Sequence, residues 1–176
     1  MQLELREEEQ KEEKESLIKC DEIERHSEGL SKRLMFTDAI KEKPKLLVVG
    51  DPGAGKSTSL QWATYFYAEQ ILNHSQKELP VPIYLELKWY NNSLLKLIAT
   101  CFGDNGIVCD EETIKDWIKK ERLLFLLDGF DELDDPSKCL RDIKELMGFL
   151  GDSRFVVASR EIDPSLKDTI KIDSSS

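Results

Sequence analysis

A glycine-rich segment between an apolar run and a helical pattern constrains this chain more than any other feature. The segment has the form G-x-x-x-x-G-K-[ST] and reads GDPGAGKS over residues 50–57. Glycines let such a backbone turn tightly and approach a phosphate closely, because no Cβ stands in the way. The loop N–H groups and the positive end of the following helix are then directed at phosphate oxygens. The pattern therefore predicts a phosphate-binding loop between a strand and a helix.

The residues on both sides of the loop favour this interpretation. Lys45–Val49 is a short apolar run typical of a buried strand. Ser57–Leu72 contains neither Gly nor Pro, and its apolar residues recur at helical spacing. Lys56 is expected to reach the β- and γ-phosphates of a nucleotide, and the Ser57 hydroxyl to bind Mg²⁺. The loop residues predicted to bind nucleotide are Gly50, Asp51, Pro52, Gly53, Ala54, Gly55, Lys56 and Ser57.

An acidic block follows a second apolar run farther along the chain. Leu123–Leu127 is apolar throughout, as expected of a strand covered on both faces, and Asp128 follows it. In P-loop NTPases, an acid at such a strand end helps the loop hydroxyl to hold Mg²⁺. Asp128 is thus the predicted metal ligand, acting through a water because Mg²⁺ keeps several waters. Asp131 and Glu132 are both candidates to orient or deprotonate the attacking water, and a solvated acidic loop is the alternative.

A basic residue follows the strand predicted at Arg154–Ser159. Arg160 follows it directly, at the carboxyl edge of the sheet, where α/β folds bind ligands. A positive group there can contact the γ-phosphate and stabilise transition-state charge. A surface arginine without a role is the alternative.

Strand and helix patterns alternate along the chain, which predicts a three-layer α/β fold with a parallel five-stranded sheet. A charged helical segment is predicted over residues 1–42, and the nucleotide-binding domain over residues 43–173. The remaining predicted strands are Val81–Leu87 and, as a weak candidate for the fifth, Thr169–Ile172; the remaining helices are Ser93–Cys101, Thr113–Lys120 and Pro136–Leu150.

Composition excludes several classes of function. The formal net charge of −10 disfavours a general nucleic-acid binder, since phosphate contacts need clustered Lys and Arg. No apolar run approaches the length of a membrane span, and the acidic N-terminus is unlike a signal peptide. The four cysteines lack C-x-x-C spacing, which favours reduced cytoplasmic thiols over a zinc site.

Three segments together resemble the NACHT domain of STAND-class P-loop NTPases, of the NOD-like receptor type. They are GDPGAGKST, LLFLLDGFDEL and FVVASR, and VPIYLELKWY looks like the second strand of that family. The resemblance covers about Pro44 to Pro164. It implies strand order 5-1-4-3-2 and an ATP-driven switch, bound to ADP at rest and self-associating with ATP. Carried over, it makes Thr58 a further phosphate-binding residue, Asp128 the Walker B acid, Asp131 and Glu132 the hydrolytic acids and Arg160 the sensor 1 arginine.

The resemblance also implies a function. It predicts slow, Mg²⁺-dependent ATP hydrolysis in a nucleotide-controlled signalling switch, of a kind used in defence or stress signalling, with a protein partner or self-association. Family members usually continue into a helical domain, a winged helix with an ADP-contacting histidine, and a sensor. The chain here stops soon after Thr169–Ile172, so a fragment, a truncated product and a minimal module stay open.

Other functions stay open beside the switch. A module that binds nucleotide without hydrolysing it is the main alternative, since one wall of the usual pocket is missing from the sequence. A small-molecule kinase is disfavoured because no Arg follows Arg160, and a GTPase because no N-K-x-D motif follows the acidic block.

Overall fold

A parallel sheet with helices on both faces positions the loop and the acidic block. The computed structural model describes residues 17–19, 29–74, 78–149, 151–161 and 163–171. The strands are β1 (Leu17–Lys19), β2 (Lys45–Val49), β3 (Val81–Glu86), β4 (Leu123–Asp128) and β5 (Arg154–Ser159). The α-helices are α1 (Gly29–Glu42), α2 (Lys56–His74), α3 (Leu94–Asp104), α4 (Glu111–Lys120), α5 (Pro136–Met147) and α6 (Pro164–Lys171).

All strand pairs in the sheet are parallel, and the order is β1-β2-β5-β4-β3. The register places Val49 opposite Ser159, and Glu86 opposite Asp128. The carboxyl ends of β2, β5, β4 and β3 therefore meet along one edge of the sheet. The loop and the acidic block both begin at this edge.

Alternating side chains of the central strands divide the core between the two faces of the sheet. Leu46 and Val48 lie in a buried cluster with residues of α1 and α2. Leu47 and Val49 lie in a second cluster with residues of α3, α4, α5 and α6. Strands covered on both faces must be apolar at every position, which explains the uninterrupted runs in the sequence. The architecture is thus a three-layer α/β fold.

The predicted fifth strand at Thr169–Ile172 is wrong. Residues up to Lys171 belong to helix α6, which begins at Pro164 after Asp163. The Asp163 carboxylate accepts a hydrogen bond from the Leu166 N–H at 2.9 Å, and proline is well suited to the first helical position. Leu166 and Ile170 are spaced by one helical turn and are both buried. These helix-starting signals outweigh the short β-like pattern.

The outer position beside β2 is taken by β1 instead. Leu17–Lys19 pairs in parallel with Leu47–Val49. Part of the segment predicted as helical, residues 1–42, is thus a strand, and helix α1 occupies Gly29–Glu42. The remainder of that segment lies outside the described residues.

Several predicted boundaries shift by a few residues, and two helices begin at side-chain caps. Ser93 accepts from the Lys96 N–H at 3.2 Å, and Asp110 from the Thr113 N–H at 2.8 Å. Such oxygens satisfy N–H groups that have no partner within the helix. Strand β3 ends at Glu86, a residue earlier than predicted, and a 3-10 turn (Leu87–Trp89) follows. Within the described part of the chain, no helix is long and apolar enough to cross a membrane.

Candidate functional site

The glycine-rich loop connects β2 to α2 at the carboxyl edge of the sheet. Gly53 and Gly55 have φ angles of 81° and 84°, a region that strains residues with a side chain. The Ala54 N–H donates to the Asp51 carbonyl at 3.0 Å, which closes a tight turn. Helix α2 then begins at Lys56, so its first N–H groups have no earlier helical carbonyl to bond. The loop has the backbone form that cradles phosphate groups.

Lys56 is held over this loop by two backbone carbonyls. Its ammonium group donates to the Gly50 carbonyl and, at 3.0 Å, to the Asp51 carbonyl. Both acceptors lie at the start of the loop, so the cation stays beside the turn formed by the glycines. Ser57 and Thr58 follow on the first turn of α2 and are exposed. The donor set of amides, one ammonium and two hydroxyls fits a polyphosphate with its magnesium ion.

Asp128 ends strand β4 and is half-buried. Its Oδ2 accepts a hydrogen bond from the Tyr84 hydroxyl at 2.8 Å. Burial raises the pKa of the Tyr84 hydroxyl well above its usual range, and the bonded carboxylate adds to the effect. Tyr84 therefore stays a neutral donor, and its bond fixes one oxygen of the predicted metal ligand.

Gln61 extends this contact to the helix that follows the loop. Its side-chain amide donates to the Tyr84 hydroxyl at 3.4 Å. Gln61 lies one turn after Ser57, on the same side of α2. Sequence reasoning missed both Tyr84 and Gln61. The signal for Gln61 was its spacing of one helical turn from Ser57. The signal for Tyr84 was its position two residues before Glu86, which pairs with Asp128 in the sheet.

The other acids of the block lie on a 3-10 turn (Phe130–Glu132) directly after β4. Gly129 enters this turn with φ 78°, and Phe130 anchors it in the core with 3% of its surface exposed. The turn directs Asp131 and Glu132 toward the end of β5. Both acids lie within 4 Å of Arg160.

Arg160 binds Asp131 through both its main chain and its side chain. The Arg160 N–H donates to Asp131 Oδ1 at 2.8 Å, and Arg160 Nε lies 2.9 Å from Oδ2. A second guanidinium nitrogen, Nη2, lies 3.7 Å from Glu132 Oε1. The Asp131 side chain is 19% exposed, whereas that of Arg160 is 50% exposed. Arg160 is therefore a partner of the acidic block, half accessible from the sheet edge.

A groove of about 920 Å³ lies on the outer side of β3, but it is separate from the phosphate loop. Its walls come from β3, the following 3-10 turn and α3, and include Trp89, which is 67% exposed. The other two tryptophans pack within the fold. Trp62 stacks on Phe66 at 5.1 Å between ring centroids, and Trp117 meets Phe102 edge-on at 5.4 Å. Tyr84 also lines this groove, but no residue of the phosphate loop does.

The structure thus brings the sequence-predicted residues to one edge. The loop follows β2, Asp128 ends β4, and Arg160 follows β5, which lies between those two strands. Among the described residues, no cluster of three or more His, Cys, Asp or Glu side chains forms an all-protein metal site. A cation here would need oxygens from a bound nucleotide and from water, as Mg²⁺ commonly does.

A phosphate loop between a strand and a helix, with an acid at the end of another parallel strand of the same sheet, defines the P-loop NTPase class. A comparison with protein-family models matches the NACHT domain over residues 45–161. The chain belongs to the NACHT family and is a nucleotide-binding P-loop NTPase module. A comparison with curated proteins finds no significant match.

Proposed function

We propose that the chain binds ATP with Mg²⁺, hydrolyses it slowly and acts as a nucleotide-controlled signalling switch. The observation that carries this proposal is the meeting of the loop, Asp128 and the Asp131–Arg160 pair at three adjacent strand ends. Each supplies a different need of phosphoryl transfer: phosphate binding, metal binding, and a charged group beside the acids that can act on water.

Nucleotide binding is assigned to the loop and to the first turn of α2. Backbone N–H groups of the loop after Pro52, together with the helix N-terminus, would bind phosphates. Lys56, now bonded to the Gly50 and Asp51 carbonyls, would transfer its ammonium group to phosphate oxygens. Ser57 and, through water, Asp128 would hold Mg²⁺, whose charge neutralises the phosphates and orients them. ATP is preferred over GTP because the sequence lacks a guanine-reading motif.

Hydrolysis is assigned to the carboxylates after β4. Asp131 or Glu132 would accept a proton from the attacking water or orient it, and Arg160 would offset charge on the transferred phosphoryl group. The guanidinium is engaged with Asp131 at 2.9 Å, so it must turn away from that carboxylate to reach a phosphate. This competition accounts for slow turnover without a partner.

A non-hydrolysing nucleotide-binding and interaction module is the second candidate. The same ion pair favours it, since both oxygens of Asp131 are already bonded to Arg160. The two candidates share the binding site and differ only in whether the acids are released to act on water.

The binding test compares the intact chain with Lys56→Ala by titration calorimetry with ATP and ADP in Mg²⁺. We expect the intact chain to bind both nucleotides and Lys56→Ala to lose at least about a hundredfold in affinity, because a charge-assisted phosphate contact is removed. Lys41→Ala is the control, because Lys41 is an exposed α1 residue paired with Asp38 at 3.4 Å. Equal binding by Lys56→Ala and the intact chain would contradict the proposed site.

The hydrolysis test measures phosphate release under single-turnover conditions. Glu132→Gln and Asp131→Asn keep shape but remove a proton acceptor, so loss of a general base predicts a fall of about 10²-fold or more in one of them. Binding without any release by the intact chain would favour the non-hydrolysing module instead.

The switch itself is tested by the assembly state in each nucleotide. We expect light scattering to show a larger species with ATP and Mg²⁺ than with ADP, and one size in both nucleotides would contradict the switch. A nucleic acid is not proposed as a partner. The proposed location is the cytoplasm, where thiols such as those of Cys101, Cys109 and Cys139 stay reduced.

A further inference from the structure

Tyr84 lies between the two elements that carry the proposed magnesium ligands. Its hydroxyl donates to Asp128 Oδ2 at 2.8 Å and accepts from the Gln61 side chain at 3.4 Å. Asp128 ends β4, whereas Gln61 lies on α2, one turn after Ser57. A continuous hydrogen-bond path therefore runs from the helix of the phosphate loop, across β3, to the acid.

We propose that Tyr84 is a positioning residue for the magnesium site and fixes the carboxylate of Asp128. The inference rests on the proposed function, because it concerns how that site holds its metal. A carboxylate at a strand end can rotate about its last bond, and a donor on one oxygen selects one orientation. Partners that hold a metal ligand in this way typically account for tenfold to a hundredfold in metal affinity.

The hydrogen-bonding capacity of the three side chains agrees with this role. A tyrosine hydroxyl donates one bond and can accept others, and here it donates to a carboxylate and accepts from an amide. The bond to Asp128 is charge-assisted and short, so it is the stronger of the two. The longer Gln61 bond steadies the tyrosine rather than the acid itself.

The ring of Tyr84 has a separate, structural role. It packs against the cluster that α1 and α2 form on their face of the sheet. Phenylalanine keeps this ring contact and removes the hydroxyl alone. Tyr84→Phe therefore separates positioning of the acid from packing of the strand.

The chain offers a matched control for this substitution. Tyr90 is also half-buried, and its hydroxyl donates to a carboxylate, Asp142 Oδ2, at 3.0 Å. That pair lies on the opposite side of the sheet, among residues of the second cluster. Tyr90→Phe makes the same chemical change away from the loop, so it reports the general cost of losing a tyrosine–aspartate bond.

The experiment measures nucleotide affinity by calorimetry as a function of Mg²⁺ concentration and in EDTA. Tyr84→Phe should raise about tenfold the Mg²⁺ concentration at which the gain in nucleotide affinity is half-maximal. This is the lower end of the range for residues that hold a metal ligand, because Asp128 is proposed to bind the metal through water. Its affinity for metal-free nucleotide should equal that of the intact chain. Tyr90→Phe should change neither quantity. On an Asp128→Ala background, Tyr84→Phe should add no further shift, because the group that it positions is gone.

Each outcome bears on a stated claim. If nucleotide binding by the intact chain depends on Mg²⁺, but Tyr84→Phe and Tyr90→Phe require the same Mg²⁺ concentration, the positioning role of Tyr84 is overturned. The proposed function would then still stand. A loss of metal-free affinity equal to the loss with Mg²⁺ would assign Tyr84 a merely structural role. No Mg²⁺-dependent binding by the intact chain would overturn the proposed function and this inference with it.

Gln61, which is exposed, tests the other end of the hydrogen-bond path from α2 to Asp128. Gln61→Ala should shift the Mg²⁺ dependence in the same direction as Tyr84→Phe but by less, since Gln61 touches the hydroxyl and not the acid. Gln70→Ala on the same helix is the control and should leave the dependence unchanged. A larger shift for Gln61→Ala than for Tyr84→Phe would contradict the proposed order of contacts.

Discussion

At the residue scale, Asp131 is held by two bonds of different kinds. The bond to the Arg160 N–H belongs to the main chain at the end of β5, whereas the bond to Arg160 Nε belongs to a half-exposed side chain. Main-chain donors keep their place when a side chain changes rotamer. In the proposed function, the guanidinium would leave for a phosphate while the main-chain bond keeps Asp131 at the sheet edge. The pair is suited to a change of partner that leaves the acid in place.

The turn that carries the acidic block requires a glycine at position 129. With φ at 78°, an alanine there is strained, and its Cβ would lie 3.3 Å from Glu132 Cδ. We expect Gly129→Ala to lower the free energy of unfolding by about 1–2 kcal/mol, the cost of a left-handed conformation. Urea denaturation at 25 °C checks this value.

Gly103, near the end of α3, is the matched control for that substitution. It has ordinary helical geometry, and a Cβ there would meet nothing within 4 Å. Gly103→Ala should raise the free energy of unfolding by about 0.5 kcal/mol, since alanine loses less entropy in a helix. Equal effects of the two substitutions would contradict the assigned role of the positive φ.

At the element scale, strands β2 to β5 were predictable from their runs of apolar residues, whereas the short edge strand β1 was not. The run at Leu123–Leu127 is apolar because both faces of β4 are covered, so composition alone locates it. Leu17–Lys19 has three residues and no such run, and its pairing with β2 is a long-range contact that local pattern does not contain. The short alternation at Thr169–Ile172 is typical of a strand, but the cap at Asp163 and Pro164 starts a helix that includes Thr169 and Ile170.

Asp142 joins three elements, and its removal should be costly. Its Oδ2 accepts from the Tyr90 hydroxyl at 3.0 Å and from the Leu94 N–H, the first residue of α3, at 2.8 Å. Asp142→Ala leaves both donors without this acceptor, so we expect a loss of about 2–3 kcal/mol in the free energy of unfolding. Asp116→Ala, which removes an exposed ion pair with Lys120, should leave the free energy of unfolding almost unchanged. Urea denaturation of both variants checks the difference, and equal losses would contradict it.

Tyr67 makes the packing of α2 on α1 sensitive to high pH. Burial, with a smaller contribution from Asp38, raises the pKa of its hydroxyl from 10.0 to about 12. A raised folded pKa means that the neutral form is favoured in the native state. This contribution to stability is therefore complete below pH 10 and is lost as the pH rises toward 12.

Tyr67→Phe removes that dependence because phenylalanine does not ionise. The free energy of unfolding of the intact chain, relative to Tyr67→Phe, should be constant up to about pH 9 and then fall by up to about 2 kcal/mol by pH 12. Urea denaturation of both proteins from pH 8 to pH 12 measures the difference. A constant difference over that range would show that the phenol is not buried as described.

At the whole-molecule scale, the sequence located the groups of the site but not their mutual contacts. The loop and the acidic block follow local patterns, so Lys56, Asp128 and Arg160 could be named without a fold. The bond from Tyr84 to Asp128 joins residues 44 positions apart and depends on the register of β3 with β4. Register is fixed by packing of whole strands, which explains why this partner was missed.

The whole molecule should gain stability when nucleotide binds, because a ligand that binds only the folded chain shifts the unfolding equilibrium. At a concentration of ATP and Mg²⁺ one hundred times the dissociation constant, the gain is about 2.7 kcal/mol. For a chain of this length that corresponds to a rise in Tm of roughly 5–10 °C. Differential scanning calorimetry at several nucleotide concentrations checks both the size and the logarithmic dependence.

The variants separate specific binding from general stabilisation by polyanions. Lys56→Ala should show almost no rise in Tm, since its affinity falls while its fold is kept, and Lys41→Ala should show the full rise. EDTA should reduce the rise in the intact chain, because the phosphates then lack the cation that Ser57 and Asp128 are proposed to hold. A similar rise in Lys56→Ala and Lys41→Ala would mean that ATP binds elsewhere on the molecule, and the site at the ends of β2, β4 and β5 would have to be abandoned.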